Sequence, residues 1–276
     1  MTQAPAASAA DWLAAARAAA CQPPAQARQP LWVAGQAVGS VAVGILSQID
    51  LWCLSDKRYT LLNQEHGGVP VWHLDVAPGA VTPALNLLAQ ALRAQGRCGP
   101  WRDEQLAVCN AHGERLGTIE RGAVRVLGIA TRAVHLVGRA PDGRMWVQQR
   151  SHTKPNNPGM WDTLMGGMVS AADTLRQALE RETWEEAGLR LPALHSVAHG
   201  GHVEFSRPSR EGGGRGYMIE RIDWFHCTVP DGLEPCNQDG EVERFELWSP
   251  AQVRERIAAG DFTLEAALVL SACCGL

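Results

Sequence analysis

The spacing of apolar and polar positions changes along the chain and predicts two regions. Up to about residue 120, short apolar segments punctuated by glycine alternate with two helical patterns, at residues 11–20 and 83–96. A glycine directly after a helical pattern is a common C-terminal cap, so Gly96 is expected to end the second helix. We therefore predict a small α+β domain over residues 1–120, with its boundary placed to within ten residues.

Beyond residue 120, strand patterns and helical patterns alternate. Residues 133–151 form two strand-like runs around a Pro-Asp-Gly turn, which is a strong signal for a β-hairpin. Further strand-like runs and two helical patterns follow towards the C-terminus, at residues 217–229, 241–249, 250–260 and 264–274. This order predicts a second domain of the α/β class over residues 121–276.

A helix beginning after Thr174 follows the hairpin and a loop rich in proline, asparagine and glycine. Thr174 followed three residues later by Gln177 is a capping-box pattern, which marks a helix start. Gly188 marks the end of the same helix. Two histidines follow in a His-Gly-Gly-His segment, residues 199–202; because no third ligand accompanies them, they predict a polar loop rather than a metal site.

The charges on this helix are arranged unfavourably. Glu182 and Glu186 lie on one side at about 100° per residue, with Glu185 on the flank of the same side. The adjacent Arg181 can pair with Glu185 one turn on, or with Asp173 ahead of the helix. Clustered carboxylates disfavour one another's ionisation unless a cation neutralises them. Hard oxygen ligands suit Mg²⁺, so the pattern predicts a divalent metal as the missing counter-charge.

Composition narrows the class of protein. The net charge of −4 argues against general nucleic-acid binding, which usually requires a basic patch. No uninterrupted apolar run approaches the roughly 18–20 residues of a membrane span, and the first residues lack the basic start of a signal peptide. The eight cysteines show no CxxC pair and no zinc-like spacing. We therefore expect reduced thiols and a cytoplasmic location.

From Gly167 to Leu189 the chain resembles the Nudix box. The family pattern is Gly, five positions, Glu, seven positions, then Arg-Glu, an aliphatic residue, any residue, Glu-Glu, any residue, Gly and an aliphatic residue. Here Asp173 replaces a glutamate and Thr183 replaces the aliphatic residue, while every carboxylate that the family uses for metal is kept. The resemblance implies a Nudix α/β/α sandwich around a mixed sheet, with the box forming a loop–helix–loop.

The resemblance also implies an activity and a site. Nudix enzymes hydrolyse a nucleoside or other diphosphate linked to a group X. By position, Glu182, Glu185 and Glu186 would bind Mg²⁺ or Mn²⁺, the Gly166 carbonyl would complete the shell, and Arg181 would belong to the catalytic set. The metal would neutralise diphosphate oxygens and help generate or orient an attacking water.

Three further segments resemble a narrower subgroup whose characterised members act on thiamine diphosphate and, preferentially, on its oxidised or analogue forms. These segments are residues 145–167, 231–249 and 260–270. In that subgroup an N-terminal domain precedes the Nudix domain, and some fungal members are fused to thiamine pyrophosphokinase. We expect residues 1–120 to shape the substrate site or to build a homodimer, without supplying catalytic groups.

Several residues outside the box are candidates for contact with a small-molecule diphosphate substrate. Arg150 and Lys154 could meet a phosphate, or could be solvated surface cations. Trp161, beside Asp162, could stack on a heteroaromatic ring, although a tryptophan in such a loop is as often part of the core. Glu241 is a candidate late metal ligand or base, because many family members recruit a late glutamate.

Two alternatives from other functional classes are disfavoured. Isopentenyl diphosphate isomerase shares the fold but needs a cysteine in the strand leading to the glycine turn. Here Leu164 stands at that position, and no cysteine lies between residues 110 and 226. A non-catalytic Nudix sensor usually loses box carboxylates and is joined to a DNA-binding domain. This chain keeps the carboxylates, and residues 1–120 show no basic recognition helix.

Overall fold

The computed structural model describes residues 9–49 and 59–275, with side chains described from residue 12 onwards; Cys53 and Lys57 lie outside the described residues. The helices are α1 (Ala9–Ala20), α2 (Val81–Ala94), α3 (Leu175–Ala187), α4 (Glu211–Gly214), α5 (Pro250–Ala258) and α6 (Leu264–Cys274). The strands are β1 (Arg28–Val33), β2 (Gln36–Ala42), β3 (Tyr59–His66), β4 (Val69–Val76), β5 (Gln105–Cys109), β6 (Arg115–Glu120), β7 (Ala130–Arg139), β8 (Met145–Arg150), β9 (Trp161–Asp162), β10 (Met165–Met168), β11 (His195–Ser209), β12 (Gly216–Thr228) and β13 (Val242–Trp248). Within these ranges, none of the helices has the length and apolar character needed to cross a membrane.

A mixed sheet forms the centre of the C-terminal part. Its strands run in the order β11-β12-β7-β8-β13, with β10 paired to β7 and β9 paired to β8. The pairing of β12 with β7 is parallel, whereas β8 and β10 pair antiparallel with β7. The predicted α/β class with a mixed sheet is confirmed.

Helices cover both faces of this sheet. Successive side chains of a strand point to opposite faces, and β7 shows this directly. Val134 and Leu136 pack in one apolar core with residues of α3. Ala133 and Val137 pack in another core with residues of α1, α5 and α6. The sheet therefore lies between two helical layers, as a sandwich requires.

Most apolar residues of the N-terminal part pack in one core, which also includes Met168 of β10. A four-stranded sheet of order β2-β1-β4-β3 and the β5–β6 hairpin surround α2. This core also contains apolar residues between 123 and 129, so its packing extends past the predicted boundary at residue 120. Helix α1 belongs elsewhere, because Ala16 and Ala20 pack in the core that contains α6. The sequence of α1 could not reveal which core its apolar side would cover.

The His-Gly-Gly-His segment lies within strand β11, so the predicted polar loop is wrong. Irregular pairing between β11 and β12 falls on either side of His199. A Cβ atom at Gly200 would lie 1.8 Å from a ring carbon of Trp224. The glycine is therefore explained by close packing of a strand against an aromatic ring.

Candidate functional site

Helix α3 is fixed at both ends by its own sequence. The Thr174 side chain accepts a hydrogen bond from the Gln177 backbone, and the Gln177 side chain accepts one from the Thr174 backbone. Gly188 ends the helix with φ 63°, a left-handed conformation that glycine adopts readily. The predicted caps are confirmed, and they fix the start and the end of the helix that carries the glutamates.

Two glycines of β10 let this helix and a histidine approach the strand closely. A Cβ atom at Gly167 would lie 2.0 Å from the carboxyl carbon of Glu182. A Cβ atom at Gly166 would lie 2.7 Å from the ring of His135. The His135 ring is held in turn by a 2.9 Å hydrogen bond with the Thr163 hydroxyl. The Glu182 carboxylate therefore rests on the backbone of β10.

Arg181 holds two of the box carboxylates. Its guanidinium donates to Asp173 at 3.0 Å, to Glu182 at 2.9 Å and to Glu185 at 3.0 Å. It also donates to the Met168 carbonyl oxygen at 3.3 Å. Both partners predicted for Arg181 are thus engaged together, and Glu182 is a third.

Glu186 is buried and has a different set of partners. Its Oε1 lies 3.2 Å from Nζ of Lys154. Its Oε2 accepts hydrogen bonds from Nε2 of Gln148 at 2.8 Å and from the Gly166 amide at 3.1 Å. Lys154 also lies 2.5 Å from the Glu241 carboxylate. The structure therefore brings Glu186, Lys154 and Glu241 together across three separate segments of the chain.

Gln148 is a site residue that sequence reasoning missed. It precedes Arg150 by two residues in β8, so the two side chains are expected on one face of the strand. That spacing was the available signal, since Arg150 was already a candidate.

Burial and nearby charges shift the pKa values of these carboxyls. Burial raises the pKa of Glu182 to about 7, despite the opposing charge of Arg181. Burial also raises the pKa of Glu186, with the charge of Lys154 acting in the opposite direction. Burial raises the pKa of Glu241 too, but the hydrogen bond and the charge of Lys154, together with the charges of two arginines, outweigh burial and keep this pKa below the ordinary value. Glu186, which is buried, and Glu182, which is partly buried, therefore need compensating positive charge to ionise fully.

Trp161 lies in the core rather than on an open surface. Only 6% of its surface is exposed, and its ring lies 4.3 Å from that of Trp248. Its amide donates to the Asp261 carbonyl oxygen, and its own carbonyl oxygen accepts from Thr263. We therefore assign Trp161 to packing and correct the expectation that its ring stacks on a substrate.

Asp162 and Arg150 lie beside Trp161 and hold the loop of residues 151–160. Asp162 is buried and accepts a 2.8 Å hydrogen bond from the Thr163 amide. Arg150 lies 3.4 Å from Asp162 and donates to the Asn156 carbonyl oxygen at 3.3 Å. Asp162 therefore positions Arg150 and the loop, which corrects the expectation that Asp162 contacts substrate directly.

The donor chemistry of the site fits a divalent cation. Among the side chains described, those of residues 12–49 and 59–275, no three His, Cys, Asp or Glu are arranged around a common metal position. In this arrangement Arg181 and Lys154 form ion pairs with the box carboxylates. Beside Glu186, the buried Oε1 of Gln148 has no hydrogen-bond partner among the described residues. Carboxylates with an unpaired amide oxygen form a hard oxygen set, which suits Mg²⁺ or Mn²⁺.

The position where an isomerase would carry its thiol is part of the core. Leu164 is fully buried and packs with residues of α3 and β7. Its side chain lies against Gly138, where a Cβ atom would be 2.4 Å from a Leu164 methyl group. This position therefore holds an apolar side chain that packs in the core.

Parts of this chain are similar in sequence to known proteins. An uncharacterized protein of Saccharomyces cerevisiae is 26% identical over 186 residues, which cover 62% of this chain and 53% of the yeast protein. Nudix hydrolase 20, chloroplastic, of Arabidopsis thaliana is 32% identical over 150 residues, which cover 52% of this chain and 38% of the plant protein. The chain thus spans about half or less of the length of these curated relatives.

A solved structure and a protein-family model also match part of this chain. The crystal structure of DR0079 from Deinococcus radiodurans aligns with a TM-score of 0.49 and 24% identity, covering 62% of this chain and 99% of that one. The NUDIX domain model matches residues 130–268, just over half of the chain. The matched segment contains the capped helix, the glycine strand and the clustered carboxylates. This chain belongs to the Nudix family.

Proposed function

We propose that this chain is a divalent-metal-dependent hydrolase that cleaves the phosphoric anhydride of a diphosphate linked to a group X. The observation that carries this proposal is a pair of carboxylates held against β10, the partly buried Glu182 and the buried Glu186. Their burial opposes ionisation, and such an arrangement is useful when a cation is to be bound there. Membership in the Nudix family supports the same reaction class.

The metal would be held by residues of the box and two residues outside it. Glu182, Glu185 and Glu186 supply carboxylate oxygens, the Gly166 carbonyl completes the set, and Gln148 adds an amide oxygen beside Glu186. When bound, Mg²⁺ or Mn²⁺ neutralises the diphosphate oxygens and lowers the pKa of a coordinated water.

The remaining chemistry belongs to the chain's own side chains. Arg181 holds the carboxylates of Glu182 and Glu185 in position through direct hydrogen bonds. Arg150 and Lys154 lie on the loop side of the site and bring positive charge for the substrate phosphates. For phosphoryl transfer, positioning and electrostatic stabilisation account for most of the catalysis.

We propose further that the substrate is thiamine diphosphate or one of its oxidised or analogue forms. The support is the resemblance of residues 145–167, 231–249 and 260–270 to a subgroup with that activity. Water attacks a phosphorus atom of the diphosphate and the bridging P–O bond breaks. The products are the monophosphate, inorganic phosphate and one proton.

A metal-dependent substrate screen tests both proposals. The full chain is incubated with Mg²⁺ and with thiamine diphosphate, oxidised thiamine analogues, nucleoside diphosphate sugars or dinucleotides, and the products are identified by mass spectrometry. Glu186→Gln should lower turnover by more than about 100-fold, because it removes a metal ligand rather than a residue that merely supports one. Glu180→Gln is the matched control, since Glu180 lies on the same helix and pairs with Arg176 outside the site.

The outcomes separate the reaction from the substrate. Full activity in excess chelator, or equal turnover for Glu186→Gln and Glu180→Gln, would overturn the metal-dependent hydrolase. Nucleoside diphosphate sugars or dinucleotides hydrolysed much faster than any thiamine compound would overturn the thiamine proposal and leave the reaction class intact.

A further inference from the structure

Lys154 lies between two carboxylates that both belong to the candidate metal site. Its ammonium group contacts the buried Glu186 at 3.2 Å and Glu241 at 2.5 Å. The side chain is 12% exposed, although the residue belongs to the 151–160 loop. Positive charge is therefore delivered from a surface loop to the interior of the site.

The two cations that contact the box carboxylates, Arg181 and Lys154, are held in different ways. Arg181 is also bound to Asp173 and to the Met168 carbonyl oxygen, so it keeps partners outside the proposed metal ligands. The described polar contacts of the Lys154 ammonium are with Glu186, a proposed metal ligand, and with Glu241, the candidate late ligand. A lysine ammonium is a compact charge on a flexible stem, whereas the arginine fork is fixed in direction. Lys154 is therefore the cation that can leave the site without breaking the surrounding structure.

Gln148 supplies an independent reason to expect an exchange. Its amide nitrogen donates to Glu186, while its buried Oε1 has no partner among the described residues. Buried polar atoms are seldom left without a partner, because the lost hydrogen bond is costly. A divalent cation at Glu186, or a water bound to it, would give this oxygen the partner that Lys154 does not provide.

We propose that Lys154 and the divalent cation compete for Glu186 and Glu241, so that metal binding releases the Lys154 ammonium towards the substrate phosphates. The inference rests on the proposed function, because it assumes that Glu186 is a metal ligand. The loop of residues 151–160 thereby responds to metal. Lys154 acts as a built-in counter-ion in one arrangement and as a phosphate-binding group in the other.

The affinity for Mn²⁺ tests the competition without measuring hydrolysis. Mn²⁺ is titrated into the full chain at about pH 8, where most carboxyls are ionised, and free Mn²⁺ is followed by electron paramagnetic resonance. Lys154→Met should bind Mn²⁺ roughly tenfold more tightly, since removing a competitor raises the fraction of binding-competent sites. Lys154→Arg should bind less tightly than the wild type, because its fork can hold a carboxylate bidentately. Arg176→Met, which removes an exposed cation of α3 remote from these contacts, should leave the affinity unchanged.

Chemical labelling provides a second measurement on the folded protein. The chain contains two lysines, Lys57 and Lys154, so Lys57→Arg leaves Lys154 as its one lysine side chain. Acetylation of Lys154 by a water-soluble succinimidyl ester is followed by peptide mass spectrometry, with and without Mn²⁺. Saturating Mn²⁺ should speed acetylation several-fold, because the ammonium group leaves its buried ion pairs.

The results separate this inference from the proposed function. Tighter Mn²⁺ binding by Lys154→Met together with faster labelling in Mn²⁺ would support the competition. If the wild type binds Mn²⁺ and hydrolyses a diphosphate, but the labelling rate is unchanged by Mn²⁺, the competition is wrong and the hydrolase stands. Mn²⁺ binding by a folded Lys154→Met that is no tighter than that of the wild type would also overturn it, as would Mn²⁺ binding by Lys154→Arg that is as tight as or tighter than that of the wild type. A wild-type chain that binds no Mn²⁺ would overturn both.

Discussion

Among single residues, Gly167 decides where the Glu182 carboxylate can lie. An added Cβ atom would be 2.0 Å from the carboxyl carbon of Glu182. The group that must move is the end of a flexible side chain, so the cost to folding is small. We expect Gly167→Ala to change the free energy of unfolding by less than about 1 kcal/mol while weakening Mn²⁺ binding by about tenfold or more.

The measurement pairs urea unfolding with Mn²⁺ titration. Gly79→Ala is the matched control, since a Cβ atom at Gly79 has no neighbour within 4 Å. It should leave both quantities near the wild-type values. Wild-type Mn²⁺ affinity in Gly167→Ala would mean that Glu182 need not lie where this structure places it.

Residues of the site differ in how far the sequence could predict them. The box carboxylates follow from fixed spacing on one helix, which is local information. Trp161 could not be assigned, because whether a loop tryptophan faces a ligand or the core depends on residues far along the chain, such as Trp248. Lys154 and Glu241 meet because Arg150 pairs with Val242 across β8 and β13. The register between two strands that are distant in sequence cannot be predicted from the sequence of either strand alone.

Helix α3 shows how burial makes an element sensitive to pH. Folding raises the pKa of Glu182 from 4.5 to about 7. A carboxyl whose pKa rises on folding favours the folded state in its protonated form. Its stabilising contribution is therefore complete below about pH 4.5 and is lost as the pH rises through about 7.

The corresponding prediction compares the wild type with Glu182→Gln, which cannot titrate. In buffer with chelator, the wild type should lose about 1–3 kcal/mol of unfolding free energy relative to the variant between about pH 5 and about pH 8. Urea unfolding across this range checks it. Added Mg²⁺ should reduce the loss, because metal binds the deprotonated carboxylate. Parallel pH profiles for the two proteins would contradict this role of Glu182.

Asp173, just before α3, replaces the glutamate of the family pattern. Asp173 pairs with Arg181 at 2.9–3.0 Å, and Arg181 in turn holds two box carboxylates. Asp173→Glu should be tolerated, since it keeps the charge and restores the family's residue. Asp173→Ala should weaken Mn²⁺ binding by about 10-fold, because Arg181 loses the partner that orients it.

Steady-state kinetics and Mn²⁺ titration of both Asp173 variants check this assignment. The glutamate variant serves as the control for the alanine variant, because it differs mainly in reach. A loss in Asp173→Glu as large as that of Glu186→Gln would show that Asp173 has a more direct role than orienting Arg181.

For the whole molecule, local sequence patterns predict the fold class and the positions of most helices and strands. Which hydrophobic core each element joins depends on long-range packing and could not be predicted. The Pro-Asp-Gly hairpin and both α3 caps were readable because each uses a few neighbouring residues. The placement of α1 against α6 was not, since many partners could cover a short alanine-rich helix. Residues 121–129 follow the last strand of the N-terminal part, and their apolar residues pack in its core. The point at which the chain passes from one core to the next therefore lies near residue 130 rather than at residue 120.

The last prediction concerns a fragment of residues 121–276, which contains every proposed metal ligand and the arginine and lysine residues of the site. The N-terminal part touches the box through hydrogen bonds from Ala171 to the Gln105 carbonyl oxygen and from Arg115 to the Ala171 carbonyl oxygen. We therefore expect the fragment to bind Mn²⁺ within about tenfold of the full chain. Its melting temperature should be at least about 5 °C lower, because α1 no longer packs on α6 and residues 123–129 lose their core. Calorimetry and Mn²⁺ titration check both, and a folded fragment without Mn²⁺ binding would place a ligand in residues 1–120.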